Sequence, residues 1–492
     1  MFRDIVKKTG TYSVAMMASR AMGFLLLPVY TRYLTPGDYG VMELLDLTVN
    51  LGGLLVGARL GSALFYFYFS AETEEEKQTC ISTAFFGSLL LGCVCAAISL
   101  FGASALSQIV FGTANYARYF RLVFFGLGFS MPVEMGYCCM RTFGQSGKYV
   151  RVNLCYLAGT AVLNVVLLIV FRWGVSAMLT SSLTGFVLVA AYMVWYVLSP
   201  IKVSFDLRLL GRLIGYAIPL GLSGLAVFFV HYGDRIFLRP RISLAELGVY
   251  SLAYKLGMLI SFCHAPFVLH WNSQVCAILS VPGGGRVYAR SLTYLMAGLC
   301  GMVVVLSLLI QPGLHLIVTP GFYGAAILVP WLATAYLMRS LGAHLQSVFT
   351  AEGKPGLEAR VNVVGAVACF AAYALLIPSF KLWGAVAATL VGFFVTLCYG
   401  FWEAQRLRRF HFEYQKLMRI ALFAAAAIAG FFFVRPTGFW LQSGMAALLA
   451  VGYALSVFFG CFDKEERDSL IDMIRQQWTK RAAREAEAQA TV

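Results

Sequence analysis

Charged residues are scarce in this chain of 492 residues. Charged side chains make up 12% of it, about half of the share that is typical of soluble domains. Hydrophobic residues reach 60% and the mean hydropathy is +0.76, so too few polar side chains remain to cover water-soluble domains. The composition excludes a soluble protein and predicts one that crosses a membrane several times.

Several chemical signatures are also missing. The twelve cysteines mostly fall within apolar runs, and neither they nor the six histidines have the spacing of a metal site. The glycine run at residues 283–285 lacks the lysine of a P-loop, so no ATP motor is indicated. No acid or histidine constellation of an enzyme lies at a membrane face. We therefore expect no catalytic residues, no metal and no cofactor.

Long apolar runs predict an all-α polytopic membrane protein. A helix needs about 20 mostly apolar residues to cross the hydrocarbon, and the runs do not alternate with polar residues as barrel strands do. About fourteen transmembrane helices are predicted. They are residues 9–33, 43–68, 79–102, 118–140, 151–171, 174–198, 211–234, 246–270, 290–311, 325–348, 359–378, 383–404, 417–434 and 439–460.

The positive charges sort to one side of these spans. Most of the 38 Lys and Arg fall in loops on the side of the N-terminus, and a minority, Arg235 among them, fall on the other side. Cytoplasmic loops collect Lys and Arg, so both termini are predicted to be cytoplasmic. The net charge of +15 is thus mainly a topology signal, and we expect no nucleic-acid partner. Two cytoplasmic segments, 201–212 and 463–492, have the apolar stripe of short amphipathic helices.

The chain repeats itself at a lag of about 208 residues. The pattern GK…RVN at residues 147–153 recurs at residues 353–362, and residues 35–41 correspond to residues 243–249. Six spans fall within one period, so the two copies share one orientation. The predicted organisation is a six-helix bundle (1–200), a linker helix (201–212), a second six-helix bundle (213–408), two extra transmembrane helices (409–462) and an amphipathic tail (463–492).

The residues that carry a family resemblance are the first loop, GFLLLPVYTRYLTPGDYG at 23–40, Pro219, GDR at 233–235 and LGVYSLAYKL at 247–256. With this architecture, the chain resembles the multidrug/oligosaccharidyl-lipid/polysaccharide exporter superfamily, in particular its polysaccharide biosynthesis proteins of the O-antigen type. The resemblance implies a flippase in the inner (plasma) membrane. It would translocate an undecaprenyl-diphosphate-linked oligosaccharide by alternating access, for O-antigen, capsule or exopolysaccharide assembly. Its partners would be this substrate, membrane lipids and polysaccharide polymerase or assembly proteins.

Four cations fall within predicted spans: Arg20, Arg59, Lys255 and Arg339. A cation at the bilayer centre costs at least ~2.5–3.5 kcal/mol, so it should face a cavity or a partner. We predict that the four line a cationic cavity that binds a diphosphate through charge-assisted hydrogen bonds. The alternative is that each cation pairs with a buried acid, such as Asp46 or Glu134, or reaches the membrane surface.

Four further residues are candidates for ion coupling with Na⁺ or H⁺. Glu134 shares a helix face with Arg141, so it is either a coupling carboxylate or the partner of a salt bridge. Asp234 lies where the resemblance implies a coupling cation in the lipid II branch of the superfamily, and Asn362 and Thr389 would assist it.

Two other functions stay open. One is an ion-coupled multidrug or cation antiporter of the same superfamily, although such a substrate needs cavity carboxylates and the spans hold more cations than acids. The other is a membrane scaffold of an exopolysaccharide synthesis complex whose tail, 463–492, recruits partners.

Overall fold

The computed structural model describes residues 22–56, 60–434, 438–468 and 472. Within these ranges the longer elements are all helices and no strand forms. The helices are α1 Leu27–Tyr33, α2 Pro36–Val56, α3 Leu60–Ser70, α4 Glu74–Ala97, α5 Ala103–Phe111, α6 Ala117–Thr142, α7 Ser146–Ile169, α8 Val175–Leu198, α9 Leu207–Leu238, α10 Leu244–Gly257, α11 Leu259–Ser280, α12 Gly284–Ile317, α13 Ala325–Ala351, α14 Pro355–Leu407, α15 Tyr414–Val434 and α16 Phe439–Gly460.

Eleven segments of the described chain are long and apolar enough to cross a membrane, which confirms the all-α polytopic class. α14 covers two predicted spans, 359–378 and 383–404, and its backbone leaves the helical region at Lys381, where φ is 48° and ψ is −122°. α9 covers the predicted span 211–234 but is not among the eleven. Most of the predicted first span, 9–33, lies outside the described residues, so the number fourteen stays a prediction.

The two copies of the repeat start equivalent helices in the same way. At the start of α2, the Thr35 hydroxyl accepts from the Asp38 amide at 3.1 Å, and the Asp38 carboxylate accepts from the Thr35 amide at 3.0 Å. At the start of α10, Ser243 and Glu246 make the same two bonds, at 3.2 and 2.8 Å. Such reciprocal capping satisfies amides that the first helical turn leaves unpaired. The sequence match of residues 35–41 with 243–249 thus corresponds to two equivalent helix starts.

These two helix starts lie directly against each other. A Cβ atom on Gly40 would overlap the carbonyl of Leu244, and a Cβ atom on Gly248 would overlap the carbonyl of Pro36. Only residues without a side chain allow two helix backbones to approach so closely. The two sequence copies therefore meet glycine to glycine, at the helix ends that the Lys and Arg distribution predicts to face away from the cytoplasm.

Only the second half of the predicted linker helix over residues 201–212 is helical. Residues 201–206 are not helical, because their polar groups bond to α4 instead: the Ser204 amide donates to Ser82 Oγ and the Asp206 amide donates to Thr83 Oγ1, both at 3.2 Å. The residues that follow belong to the first turns of α9, which Asp206 caps. The predicted tail helix, 463–492, lies mostly outside the described residues.

The chain divides into two compact units. The first comprises Met1–Leu252, Ile317–Gly324 and Phe370–Ala385, and the second comprises Ala253–Leu316, Ala325–Cys369 and Val386–Val492. The core of the first unit lies where α3, α4, α6 and α8 pack together. Its fully buried side chains include Phe85, Cys139 and Met193. Three of these helices, α3, α4 and α6, also bound a polar cavity described below.

The second unit is joined by polar contacts between apolar helices. Trp271 of α11 donates to Ser347 Oγ of α13 at 3.0 Å, and Tyr453 of α16 donates to the Ala297 carbonyl of α12 at 2.9 Å. Each bond satisfies a buried polar group that would otherwise be costly within the hydrocarbon. The second bond attaches α16, which pairs with α15, to α12 of the same unit.

Candidate functional site

A buried ionic network joins α2, α9 and α10 within the first unit. Arg235 of α9 donates from Nη1 to both carboxylate oxygens of Asp234, at 2.8 and 2.9 Å, and from Nε to Glu43 of α2 at 3.1 Å. Tyr250 of α10 donates its hydroxyl proton to Asp234. All of these side chains are buried, and the guanidinium of Arg235 is 1% exposed. Arg235 is therefore not a loop cation, as its position in the sequence suggested, but the centre of a buried network.

The surroundings of Asp234 do not fit a bound cation. One carboxylate oxygen accepts from the Arg235 amide at 2.9 Å and from its guanidinium, and the other accepts from the guanidinium and from Tyr250. An ionised carboxylate has about four such lone-pair positions, and all are used here. A hard cation would need these same oxygens as ligands. The guanidinium occupies the place that a coupling ion would take, so the Asp234 carboxylate is not available as a ligand for that ion.

Asn362 and Thr389, the two residues predicted to assist Asp234, lie in the second unit. Thr389 of α14 is fully buried, whereas Asn362, on the same helix, is exposed. The backbone turns away from helical geometry between them, at Lys381. Their predicted role in ion coupling stays a prediction.

A polar cavity of about 580 Å³ lies inside the first unit, bounded by α2, α3, α4 and α6. Glu134 lines this cavity, which we call the Glu134 cavity, and its side chain is exposed. Serine hydroxyls and the side-chain amide of Asn50 also line the cavity. The polar lining residues are Asn50, Ser62, Ser88, Ser130, Glu134 and Arg141.

Glu134 and Arg141 line the same cavity without forming a salt bridge. Seven residues separate them on α6, a rise of about 10.5 Å along the axis. The Arg141 guanidinium instead donates to Cys138 Sγ at 3.0 Å and lies 5.6 Å from the ring centre of Phe65. Among the described residues, no cation lies within salt-bridge distance of Glu134. Glu134 and Arg141 therefore form no salt bridge here, and the Glu134 carboxylate faces the cavity.

Of the four predicted cavity cations, Arg20 and Arg59 lie outside the described residues. Lys255 of α10 and Arg339 of α13 are half-buried within the second unit. The guanidinium of Arg339 lies 5.5 Å from the ring centre of Phe393, a cation–π contact that partly offsets its desolvation. The common cavity of all four cations stays a prediction.

Packing brings the helices of Lys255 and Arg339 together. The rings of Tyr254 and Tyr336 meet edge to face at 5.6 Å. A Cβ atom on Gly257 would lie 2.8 Å from Leu332 Cβ, so α10 and α13 cross closely at this glycine. Lys255 directly follows Tyr254, and Arg339 lies one turn beyond Tyr336. Two cations within spans are thus carried by neighbouring helices.

Sequence reasoning missed Glu43 and Tyr250 as members of a site. The signal was present, because Glu43 is an acid inside a predicted span and such residues are rarely without a function. Its partner Arg235 is 192 positions away, and a single sequence does not show which helices meet. The repeat relates the two regions of the chain that carry these residues. Gly40 and Gly248 are equivalent in the repeat, and they lie close in the chain to Glu43 and Tyr250, respectively.

With the geometry in place, comparisons with known proteins identify the relatives of this chain. Residues 29–264 match the model of a family described as polysaccharide biosynthesis protein. This match confirms the resemblance. No curated protein matches the sequence.

Solved structures show the same fold. A lipid II flippase MurJ in an inward closed conformation superposes with a TM-score of 0.71 at 13% identity, covering 91% of this chain and 98% of that one. An inward-facing multidrug resistance MATE family transporter superposes with a TM-score of 0.64 at 15% identity, covering 82% and 98%. A MOP superfamily transporter from Pyrococcus furiosus superposes with a TM-score of 0.55 at 16% identity, covering 82% of this chain and 95% of that one. The chain is a multi-pass membrane protein with the fold of this transporter superfamily.

Proposed function

We propose that this protein is a flippase that moves a lipid-diphosphate-linked oligosaccharide across the inner membrane for surface polysaccharide assembly. One observation carries the proposal: a single chain combines a sequence match to polysaccharide biosynthesis proteins with the fold of membrane transporters. A synthetic enzyme of that pathway does not need this fold. A transporter that serves polysaccharide synthesis accounts for both findings.

The substrate class is supported by charge within the spans. Lys255 and Arg339 are half-buried cations on helices that touch. Holding cations in the hydrocarbon costs at least ~2.5–3.5 kcal/mol each, which is compensated when they face an anion. A diphosphate offers several oxygens for charge-assisted hydrogen bonds. In this proposal Arg20 and Arg59 contribute to the same binding site, and both termini are cytoplasmic.

The Glu134 cavity supplies a candidate for the driving step. Its carboxylate faces a polar space and has no ion-pair partner among the described residues. Such a group takes up a proton or a cation when its surroundings change, and a ligand shifts a conformational equilibrium only if it binds the two states differently. We propose Glu134, rather than Asp234, as the coupling carboxylate, with H⁺ or Na⁺ as the ion.

Alternating access is supported by the closed end of the first unit. There the crossing of Gly40 with Gly248 is backed by the Glu43–Arg235–Asp234–Tyr250 network one turn further along. Both would have to separate for the transporter to open on that side. Two copies of one helical bundle that rock against each other would provide this movement.

A transport assay tests the function. The purified protein is reconstituted into vesicles that carry undecaprenyl-diphosphate-linked glycan on one leaflet, and appearance on the other leaflet is measured with a glycan-cleaving enzyme. We expect transfer well above that of protein-free vesicles. A protein that moves no lipid-linked glycan but exchanges organic cations for H⁺ or Na⁺ is the multidrug antiporter, and one that moves neither fits the scaffold alternative.

A further inference from the structure

A long groove runs between α7 and α8 on the first unit, with a volume of about 550 Å³. Its walls are a helical stripe of α7, including Tyr156 and Leu163, and a facing stripe of α8, including Leu188 and Val189. At Gly159 the groove is open, because a Cβ atom there would meet no atom within 4 Å. The result is an apolar slot that follows the helices through the membrane.

Two cations stand at one end of this groove. Lys148 and Arg151 lie one turn apart on α7 and both line it. Lys148 Nζ lies 4.3 Å from the ring centre of Tyr196, and Arg151 Nε donates to the Gly147 carbonyl at 3.4 Å. Among the described residues, neither has a carboxylate within salt-bridge distance. Positive charge therefore concentrates at the groove end that the topology predicts to be cytoplasmic.

In the second sequence copy, the arginine that corresponds to Arg151 has an acidic partner. Arg360 is the repeat equivalent of Arg151, and its guanidinium lies 3.7 Å from the carboxylate of Glu403. Glu358 adds a second acid in the first turn of that helix. Neither α7 nor α8 contains an acidic residue. The first copy thus has the cations, Lys148 and Arg151, without acidic residues on the two helices of the groove. This arrangement is expected where a bound anionic ligand neutralises the cations.

We propose that this groove binds the prenyl diphosphate part of the lipid substrate. The prenyl chain lies along the apolar slot, and Lys148 and Arg151 hold the diphosphate by charge-assisted hydrogen bonds. A single slot accommodates one chain, and two cations one turn apart match two linked phosphates. The inference rests on the proposed function and gives it a docking position on the cytoplasmic side, separate from Lys255 and Arg339.

Lipid binding to the full-length protein in detergent tests the groove without any transport step. The probes are undecaprenyl diphosphate, neutral undecaprenol and phosphatidylglycerol, with binding measured by native mass spectrometry. The variants are K148Q/R151Q, which removes the charge, and G159L, which fills the slot. Their matched controls are K354Q/R360Q in the second copy and G430L, at a glycine of α15 that is equally open.

We expect the affinity for undecaprenyl diphosphate to fall at least about tenfold in both groove variants, a loss of about 1.4 kcal/mol. The affinity of the control variants should equal that of wild type. Neutral undecaprenol should bind weakly to every form. Equal binding of the diphosphate to wild type and groove variants overturns the groove while leaving the flippase intact. If the groove variants lose binding of phosphatidylglycerol more than binding of undecaprenyl diphosphate, the groove holds a structural phospholipid and the proposal is overturned. No binding of undecaprenyl diphosphate to any form contradicts the proposed function itself.

Discussion

Removing the Arg235 guanidinium is the most direct test of the buried network. R235M keeps a similar volume but leaves Asp234 and Glu43 without the cation that lies 2.8 and 3.1 Å from them. Breaking a buried ion pair by deleting one partner costs about 3–5 kcal/mol, because the remaining charge stays buried. Solvent screening does not reduce this value, since Arg235 is 1% exposed.

The measurement is the free energy of unfolding in mixed micelles, in NaCl and in choline chloride at equal ionic strength. We expect R235M to lose about 3–5 kcal/mol in choline chloride and to regain part of it in NaCl, because the vacated space between two carboxylates attracts a small cation. Any stabilisation of wild type by Na⁺ over choline should persist unchanged in D234N, because Asp234 binds no ion in this account. The triple variant E43Q/D234N/R235M removes every charge and should be more stable than R235M.

Two results would refute the reasoning. If R235M unfolds like wild type, the network is not the buried ion pair described here. If wild type is itself stabilised by Na⁺ over choline, and this response disappears in D234N, then Asp234 does bind a cation and the guanidinium does not occupy its place.

Three further predictions concern other parts of the chain. G40A should destabilise the protein by about 1–3 kcal/mol through overpacking, whereas G37A, where a Cβ meets only a side chain at 3.6 Å, should not; equal thermal stability of the two would contradict the crossing. E134Q should abolish the pH or Na⁺ dependence of glycan transfer, and a variant with an unchanged dependence would exclude this carboxylate. The hydrogen bond from Lys416 lowers the pKa of Asp463, so the stability it provides is present at neutral pH and is lost as the pH falls through that lowered pKa. The difference in melting temperature between wild type and K416M should therefore shrink below about pH 4, and a constant difference would argue against the ion pair.

The transmembrane helices were predictable because the physics that forms them is local. Continuous apolar runs are visible in the chain and form helices, and the polar turn of Thr35 with Asp38, equally visible, caps the start of α2. The repeat was equally visible, and its equivalent glycines, Gly40 and Gly248, lie in contact. That contact was not predictable, because a repeat says which residues are equivalent and not which ones touch.

The errors come from long-range pairing. Residues 201–212 have the spacing of an amphipathic helix, yet the hydrogen bonds of Ser204 and Asp206 to α4 keep the first part extended. Arg235 lies near a helix end, where its position in the sequence predicts a loop cation, but its guanidinium contacts Glu43, 192 positions earlier in the chain. Partners that lie far away in the sequence override local preference, and they decide which charges remain available for function.

The central claim is that cations within the spans bind the diphosphate of a lipid-linked glycan. The decisive measurement is glycan transfer in vesicles by K255E and R339E, compared with K354E, which reverses an exposed charge of the second copy. We predict at least a tenfold loss of transfer in the first two variants, equal to 1.4 kcal/mol or more of lost interaction, and near wild-type transfer by K354E. Transfer that stays at the wild-type rate in correctly folded K255E and R339E would contradict the account.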